Sequence, residues 1–198
     1  MLSAWCFPTS MEVGGHEYEI RTDFRAVLDL LTALNDREIM DSDPEVNALI
    51  QSQLILQIMY PAYKEIPEGC IEEAIRKVSE FIDMGMSPDN SNKPKLMDWN
   101  KDAPVIVPAI NKVLGKEIRA EGYLHWWTFL GAYLEISESL FSSIVNIRSK
   151  KAKGTKLEKW ELEFYKSNKD LIDLEVQEKR SEGEKEMLRE YFGYKKKK

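Results

Sequence analysis

With 198 residues, 43% of them hydrophobic and 31% charged, the chain holds enough apolar material for one core, or for a core with an appended arm. It reads as a globular chain rather than a membrane-embedded or wholly disordered one. A net charge of −6 argues against whole-molecule attraction to nucleic acid or anionic lipid. The charge is uneven, because Met1 to Glu45 carries ten acidic and three basic residues whereas Arg148 to Lys156 carries five basic residues and no acid. The sequence closes on Lys195, Lys196, Lys197 and Lys198. Cys6 and Cys70 are the only cysteines, too few for a disulfide framework or a structural zinc site and in keeping with a reducing cytoplasm. No basic and apolar leader precedes Pro8, so a secretory signal is not expected. The longest apolar run, Leu54 to Tyr60, is interrupted by Gln57 and falls well short of the ~20 residues that span a bilayer.

Around Gly14-Gly15, the residues Met11, Val13, His16, Tyr18 and Ile20 alternate with polar ones, which predicts a β-hairpin. After Thr22 or Asp23, either a good N-cap, Phe24, Val27, Leu28, Leu31 and Leu34 recur at helical spacing. Asp43 as N-cap and Pro44 at the first position open a second helix, with Val46, Leu49, Ile50, Leu54, Ile58 and Met59 inward and Tyr60-Pro61 at its end. A third helix is expected from Glu68 to Asp83 on the stripe Ile71, Ala74, Ile75, Val78 and Ile82, stopping at Gly85. Residues 85–94, rich in Ser, Asn, Pro and Gly, read as an exposed loop. A fourth helix starts at Trp99 or Pro104, contains Pro108 and ends at Gly115. A fifth spans Gly122 to Ile136, and a short sixth carries Leu140, Phe141, Ile144 and Ile147. Thr155 and Glu158 have capping-box spacing ahead of the stripe Leu157, Trp160, Phe164, Leu171 and Leu174. From Glu175 the chain is mostly Glu, Lys and Arg, where helicity rests on ion pairs of ~0.2–0.5 kcal/mol each, and fraying is expected.

The composite is a mainly α protein. A compact helical domain of about six helices with a small N-terminal β-hairpin covers residues 1–148, a basic linker 149–154, and a long charged C-terminal helical arm 155–198, frayed at its end. There is no internal repeat and no βαβ alternation.

Two of the five tryptophans, Trp126 and Trp127, stand side by side next to His125. Neighbours on a helix point about 100° apart, so both rings can be covered only if the helix has partners on more than one side. The segment is therefore a central helix or an exposed docking surface. Large aromatics at helical spacing are usually core, which makes Trp126, Trp127 and Phe129, with Phe24 and Leu28, the expected structural core and His125 a hydrogen-bonded packing residue.

Chemistry is hard to place in this sequence. Gly14-Gly15 is followed by no Lys-Ser or Lys-Thr, so a turn is preferred to a phosphate cradle. The two histidines and two cysteines give no metal-ligand spacing. The many carboxylates fall at caps and on polar faces, where they are ordinary. No catalytic, cofactor or metal site is expected, and the chain reads as non-enzymatic. Arg148, Lys150, Lys151, Lys153 and Lys156 could meet phosphates, but no aromatics are interleaved among them, so a nucleic-acid partner is disfavoured. Trp160, Phe164 and Leu171 either pack back on the core or offer apolar surface to a partner, with Arg148, Lys150, Lys151 and Lys153 beside them.

Several segments then fall into a familiar order. They are Val13-Gly14-Gly15-His16-Glu17-Tyr18-Glu19-Ile20 with Thr22-Asp23-Phe24-Arg25, Ile58-Met59-Tyr60-Pro61, Leu124-His125-Trp126-Trp127-Thr128-Phe129, and the stretch Phe141 to Arg148. In order and spacing they resemble the bacteriophage gene-product-fifteen family, found in tail-gene clusters of siphophages of Gram-positive bacteria, over about residues 8–172. The resemblance implies a tail assembly chaperone of the host cytoplasm, expected to be absent from the mature virion. Its implied partner is the tape measure protein, with the major tail protein a further candidate and a homo-oligomer compatible. The alternative is a minor structural component of the tail or connector. The sequence departs from the family in the charged end beyond Glu175 and in the loop near residue 90, so nothing carries over to those parts.

Overall fold

Gly14 and Gly15 adopt φ of 58° and 78°, the left-handed pair that a two-residue hairpin turn demands. They join β1 (Ser10–Val13) to β2 (His16–Glu19) in antiparallel register, Met11 opposite Tyr18 and Val13 opposite His16. Period-two alternation buries Met11 and Val13 while Glu12 faces water. In the computed structural model the described residues are 5–36, 44–86 and 94–174, and they form two compact units, 5–86 and 94–174. Among them are two strands and eight α-helices.

In the first unit, α1 (Phe24–Asn35) is capped by Asp23, whose carboxylate accepts from Arg25 N at 3.0 Å. It buries Phe24, Val27 and Leu30 and leaves Leu28 only half-buried. The guanidinium of Arg25 lies 4.5 Å from the centre of the Phe24 ring. The second helix, α2 (Pro44–Met59), intersperses Asn47, Gln51, Ser52, Gln53 and Gln57 among its apolar residues without a polar face, and this defeats a choice of one inward stripe. Ile50, Leu54, Leu56 and Met59 are buried, whereas Leu49, expected inside, is 62% exposed. The end of α2 is closed by a cation, since Arg21 Nη1 donates to Gln57 O and Ile58 O at 2.8 and 2.7 Å. Tyr60, fully buried, donates its hydroxyl to Ala74 O at 2.9 Å, and burial pushes that phenol well above its ordinary pKa.

The third helix, α3 (Ile71–Ile82), buries Ala74, Val78 and Phe81, so the inward stripe includes Phe81, which the sequence reading left out. A single 3-10 turn, Glu68–Cys70, takes the place of the expected first turn. α3 ends in a Schellman turn, with Gly85 N donating to Glu80 O at 2.8 Å. The left-handed position of that turn is filled by Met84 at φ 54°, one residue ahead of the expected stop Gly85.

In the second unit, α4 (Ala103–Leu114) carries Pro104 in its first turn and Pro108 inside it, and ends at left-handed Gly115. The next helix, α5 (Trp126–Leu134), is shorter than the expected Gly122–Ile136 because His125 caps it, its Nδ1 accepting from Trp127 N at 3.1 Å. Trp126, Trp127 and Phe129 are buried. Trp99 completes the cluster, with ring centres 6.4 Å from Trp126, 6.1 Å from Phe129 and 5.0 Å from Tyr133, within the range of favourable aromatic pairing.

α6 (Leu140–Ala152) opens on a Ser139/Ser142 capping box and buries Phe141, Ile144, Ile147 and Arg148, with Leu140 exposed. α7 (Lys159–Ser167) and α8 (Lys169–Ile172) complete the described helices, broken at Asn168. Periodicity in the sequence marks buried faces without saying which of them share a core. Most of the expected linker 149–154 is the last turns of α6. The expected N-cap Asp43, the Ser-Asn-Pro segment near residue 90 and the arm beyond Leu174 lie outside the described residues.

Candidate partner-binding surface on the C-terminal helices

Arg148, Lys150 and Lys151 of α6 all find their counter-charges within the chain. Helical spacing places Arg148 on the buried side of α6, one residue after Ile147. There it meets Asp102, which flanks the start of α4. The pair exposes 6% and 0% of its side chains, with Nη1 to Oδ2 at 2.6 Å and Nη2 to Oδ1 at 2.8 Å. The remaining guanidinium hydrogens go to Ile172 O (2.6 Å), Leu171 O (3.1 Å) and Leu96 O (3.1 Å). All five donors of the guanidinium are therefore satisfied. Asp102 makes no cap bond with its side chain, and its Oδ2 also accepts from Asp98 N at 2.9 Å. Leu171 O and Ile172 O lie in the last turn of α8, where a cation is electrostatically favoured.

α6 closes in a second Schellman turn, with Thr155 N donating to Lys150 O at 2.8 Å, Gly154 N to Lys151 O at 3.1 Å, and Gly154 at φ 66°. The N–H of Thr155 thereby closes α6 and is not open to the carboxylate of Glu158, as a capping box would require. The expected box at Thr155 and Glu158 moves one turn along, so that Glu158 stands at the cap of α7 and Glu161 accepts from Glu158 N at 2.8 Å. Glu161 is fully buried and also takes Lys150 Nζ at 2.6 Å and Asn146 Nδ2 at 3.1 Å. The Lys150 hydrogen bond holds the Glu161 carboxyl below its ordinary pKa, and Glu161 raises that of Lys150. Lys151 pairs with Asp173 and lies 3.8 Å from the Tyr165 ring centre. Tyr165 Oη donates to the same carboxylate at 2.9 Å. Burial opposes charge on Asp173 and Lys151, but their mutual hydrogen bond and those of Tyr165 outweigh it, so Asp173 is lowered and Lys151 raised.

The residues expected to bind a partner are therefore divided. Ile144, Ile147 and Ile172 form a fully buried cluster, against which Phe164 and Leu171 pack with Val105, Leu157 and Tyr165. Arg148 is buried among backbone carbonyls, and Lys150 and Lys151 are engaged by α7 and by Asp173. Trp160 and Lys153 stay at the surface, Trp160 52% exposed with its Nε1 donating to Glu158 at 2.9 Å. Leu162 beside it is 41% exposed. The sequence reading missed Asp102, Glu161, Ile172 and Asp173. Only Glu161 left a signal, standing three residues after Glu158 at the spacing of a capping box.

Among the described residues no group of three or more His, Cys, Asp or Glu side chains is placed to hold a metal ion. No helix among them is long and apolar enough to cross a membrane. The chain matches the family model described as Bacteriophage Gp15 protein over residues 6–174. No curated protein and no solved structure matches it. The matched span takes in the hairpin, the aromatic cap of α5 and the Arg148 clasp, and the chain belongs to the bacteriophage Gp15 protein family.

Proposed function

We propose that this chain is a non-catalytic tail assembly chaperone that binds the phage tape measure protein in the host cytoplasm, with the major tail protein as a further candidate partner. The observation that carries the reading is membership of the phage family across residues 6–174. The physical logic is that a tape measure is a long helical chain whose apolar stripe would aggregate before the tail tube encloses it, and a protein that covers the stripe prevents this. Two features favour a protein partner over nucleic acid. Arg148, Lys150 and Lys151 are paired with carboxylates inside the chain, and α7 exposes two large apolar side chains, Trp160 and Leu162, either side of the buried Glu161.

The test is co-expression with a fragment of the tape measure protein from the same phage. The fragment is expected to move from the pellet to the soluble fraction and to co-purify with this chain, and failure of both would refute the proposal. Mass spectrometry of purified particles separates it from the reading as a minor tail component, since a chaperone is expected in the lysate and not in the virion.

A further inference from the structure

The arm formed by α7 and α8 is seated by an apolar face, two ion pairs and two hydrogen bonds from Arg148. It is joined to α6 through residues 153–156, all exposed, with the left-handed Gly154 in the turn that closes α6. It covers Ile144 and Ile147 of α6 with Leu157, Phe164, Leu171 and Ile172. At the rims, Glu161 and Asp173 meet Lys150 and Lys151. At nine and four residues, α7 and α8 are too short to be stable helices on their own. Their order depends on this seat.

We infer that α7–α8 is the resident occupant of a docking groove on α4 and α6, and that the partner which displaces it is an amphipathic helix with carboxylates flanking its apolar ridge. The groove has Ile144 and Ile147 as floor, Val105 as wall, and Lys150 and Lys151 as rims, and the arm displays the chemistry it accepts. The unit is built to survive the exchange. When the arm departs, Arg148 loses Ile172 O and Leu171 O but keeps both oxygens of Asp102 and Leu96 O. The bidentate contact with Asp102 is therefore retained. The aromatic cluster of Trp99, Trp126, Phe129, Tyr133 and Phe141 draws no member from the arm. Lys150 and Lys151 are then released for a new carboxylate, which sets the sign of the partner's flanks.

The inference rests on the proposed assembly role only for who the partner is, and its test needs no tape measure protein. A fluorescein-labelled peptide of residues 155–174 is titrated into the full chain, comparing the parent with the variant E161K/D173K, whose own arm is repelled by Lys150 and Lys151. Anisotropy is expected to show at least tenfold tighter binding to the variant. A peptide carrying E161K and D173K itself is expected to bind that variant at least tenfold more weakly than the parent peptide. Equal affinity for parent and variant chains, or indifference to the peptide's charge, overturns the inference. Should E161K/D173K lose the near-ultraviolet signal of the aromatic cluster, E161Q/D173N is used instead. A gain of at least threefold is expected there, and no gain overturns the inference equally. Failure here leaves the assembly role standing, whereas failure of co-expression with a sound peptide result leaves the groove standing and removes its proposed partner.

Discussion

Replacing Arg148 by Met keeps the aliphatic bulk at a site where only 6% of the side chain is exposed and removes the charge. Asp102, fully buried, then keeps the hydrogen bond from Asp98 N and loses both from the guanidinium. Ile172 O and Leu171 O lose a donor in the last turn of α8. Breaking a buried pair from one side costs about 3–5 kcal/mol, a large part of the ~5–15 kcal/mol that a domain has in total. With a urea slope of about 2 kcal/mol per molar, the midpoint is expected to fall by about 2 M. Tryptophan fluorescence reports on the right unit, because four of the five tryptophans lie within residues 94–174. The double variant Arg148→Met with Asp102→Leu leaves neither charge. It is expected to be less destabilised than the sum of the single changes by about 2 kcal/mol or more. A loss below about 1 kcal/mol for Arg148→Met, the value of an exposed pair, would refute the clasp as the element that closes this unit.

The geometry sets three further outcomes. A Cβ on Gly14 would sit 2.6 Å from Cys70 Sγ at φ +58°, whereas one on Gly15 meets nothing within 4 Å. Gly14→Ala is thus expected to cost more than Gly15→Ala, which loses only the ~1–2 kcal/mol of left-handed strain. Cys70→Ala should narrow the gap in thermal melts, and equal melting temperatures without it would contradict the close approach. Met84→Gly relieves a left-handed non-glycine residue at φ 54° and is expected to stabilise by about 0.5–1 kcal/mol in urea titrations, less whatever Met84 gains by packing. A loss of stability would show that its side chain outweighs the strain. For the arm, Glu161 and Asp173 are lowered, so their contribution is complete above about pH 5 and fades as pH falls through the depressed folded values. Lys150 and Lys151 are raised, so theirs is complete below about pH 10 and fades as pH rises beyond the elevated values. Amide NMR signals of Leu171 and Ile172 should be flat between these limits, and inflections at the ordinary carboxylate value of about 4 and the ordinary lysine value of about 10.4 would contradict the pairing.

What the sequence disclosed was local. Gly14-Gly15 between alternating strands specified a turn that only left-handed residues make, and spacing located the helices α1 and α3 while leaving the buried Leu30 and Phe81 out of their stripes. Interactions across long separations left no trace. Nothing in the run from Arg148 to Lys156 distinguishes a solvated cation from one facing Asp102, 46 residues earlier. Local signals also competed. Thr155 and Glu158 have capping spacing, but the left-handed Gly154 had already claimed Thr155 N–H for the end of α6. Leu49 and Leu56 are equivalent in character on a helix without a distinct polar face, and only the packing around α2 decides that Leu56 is buried and Leu49 is not. The partner surface was read as one stripe because Trp160, Phe164 and Leu171 share a period. The break at Asn168 and the pull of Ile144 and Ile147 divide that stripe into a packed side and an exposed tryptophan.

If this chain acts as proposed, one copy can cover only a short stretch of so long a helix, and many copies bind along it. The most direct measurement is the number of copies bound to tape measure fragments of increasing length, counted by mass photometry of the purified complexes. The count is expected to rise in proportion to fragment length. One copy at every length, or none at any, would contradict the proposal.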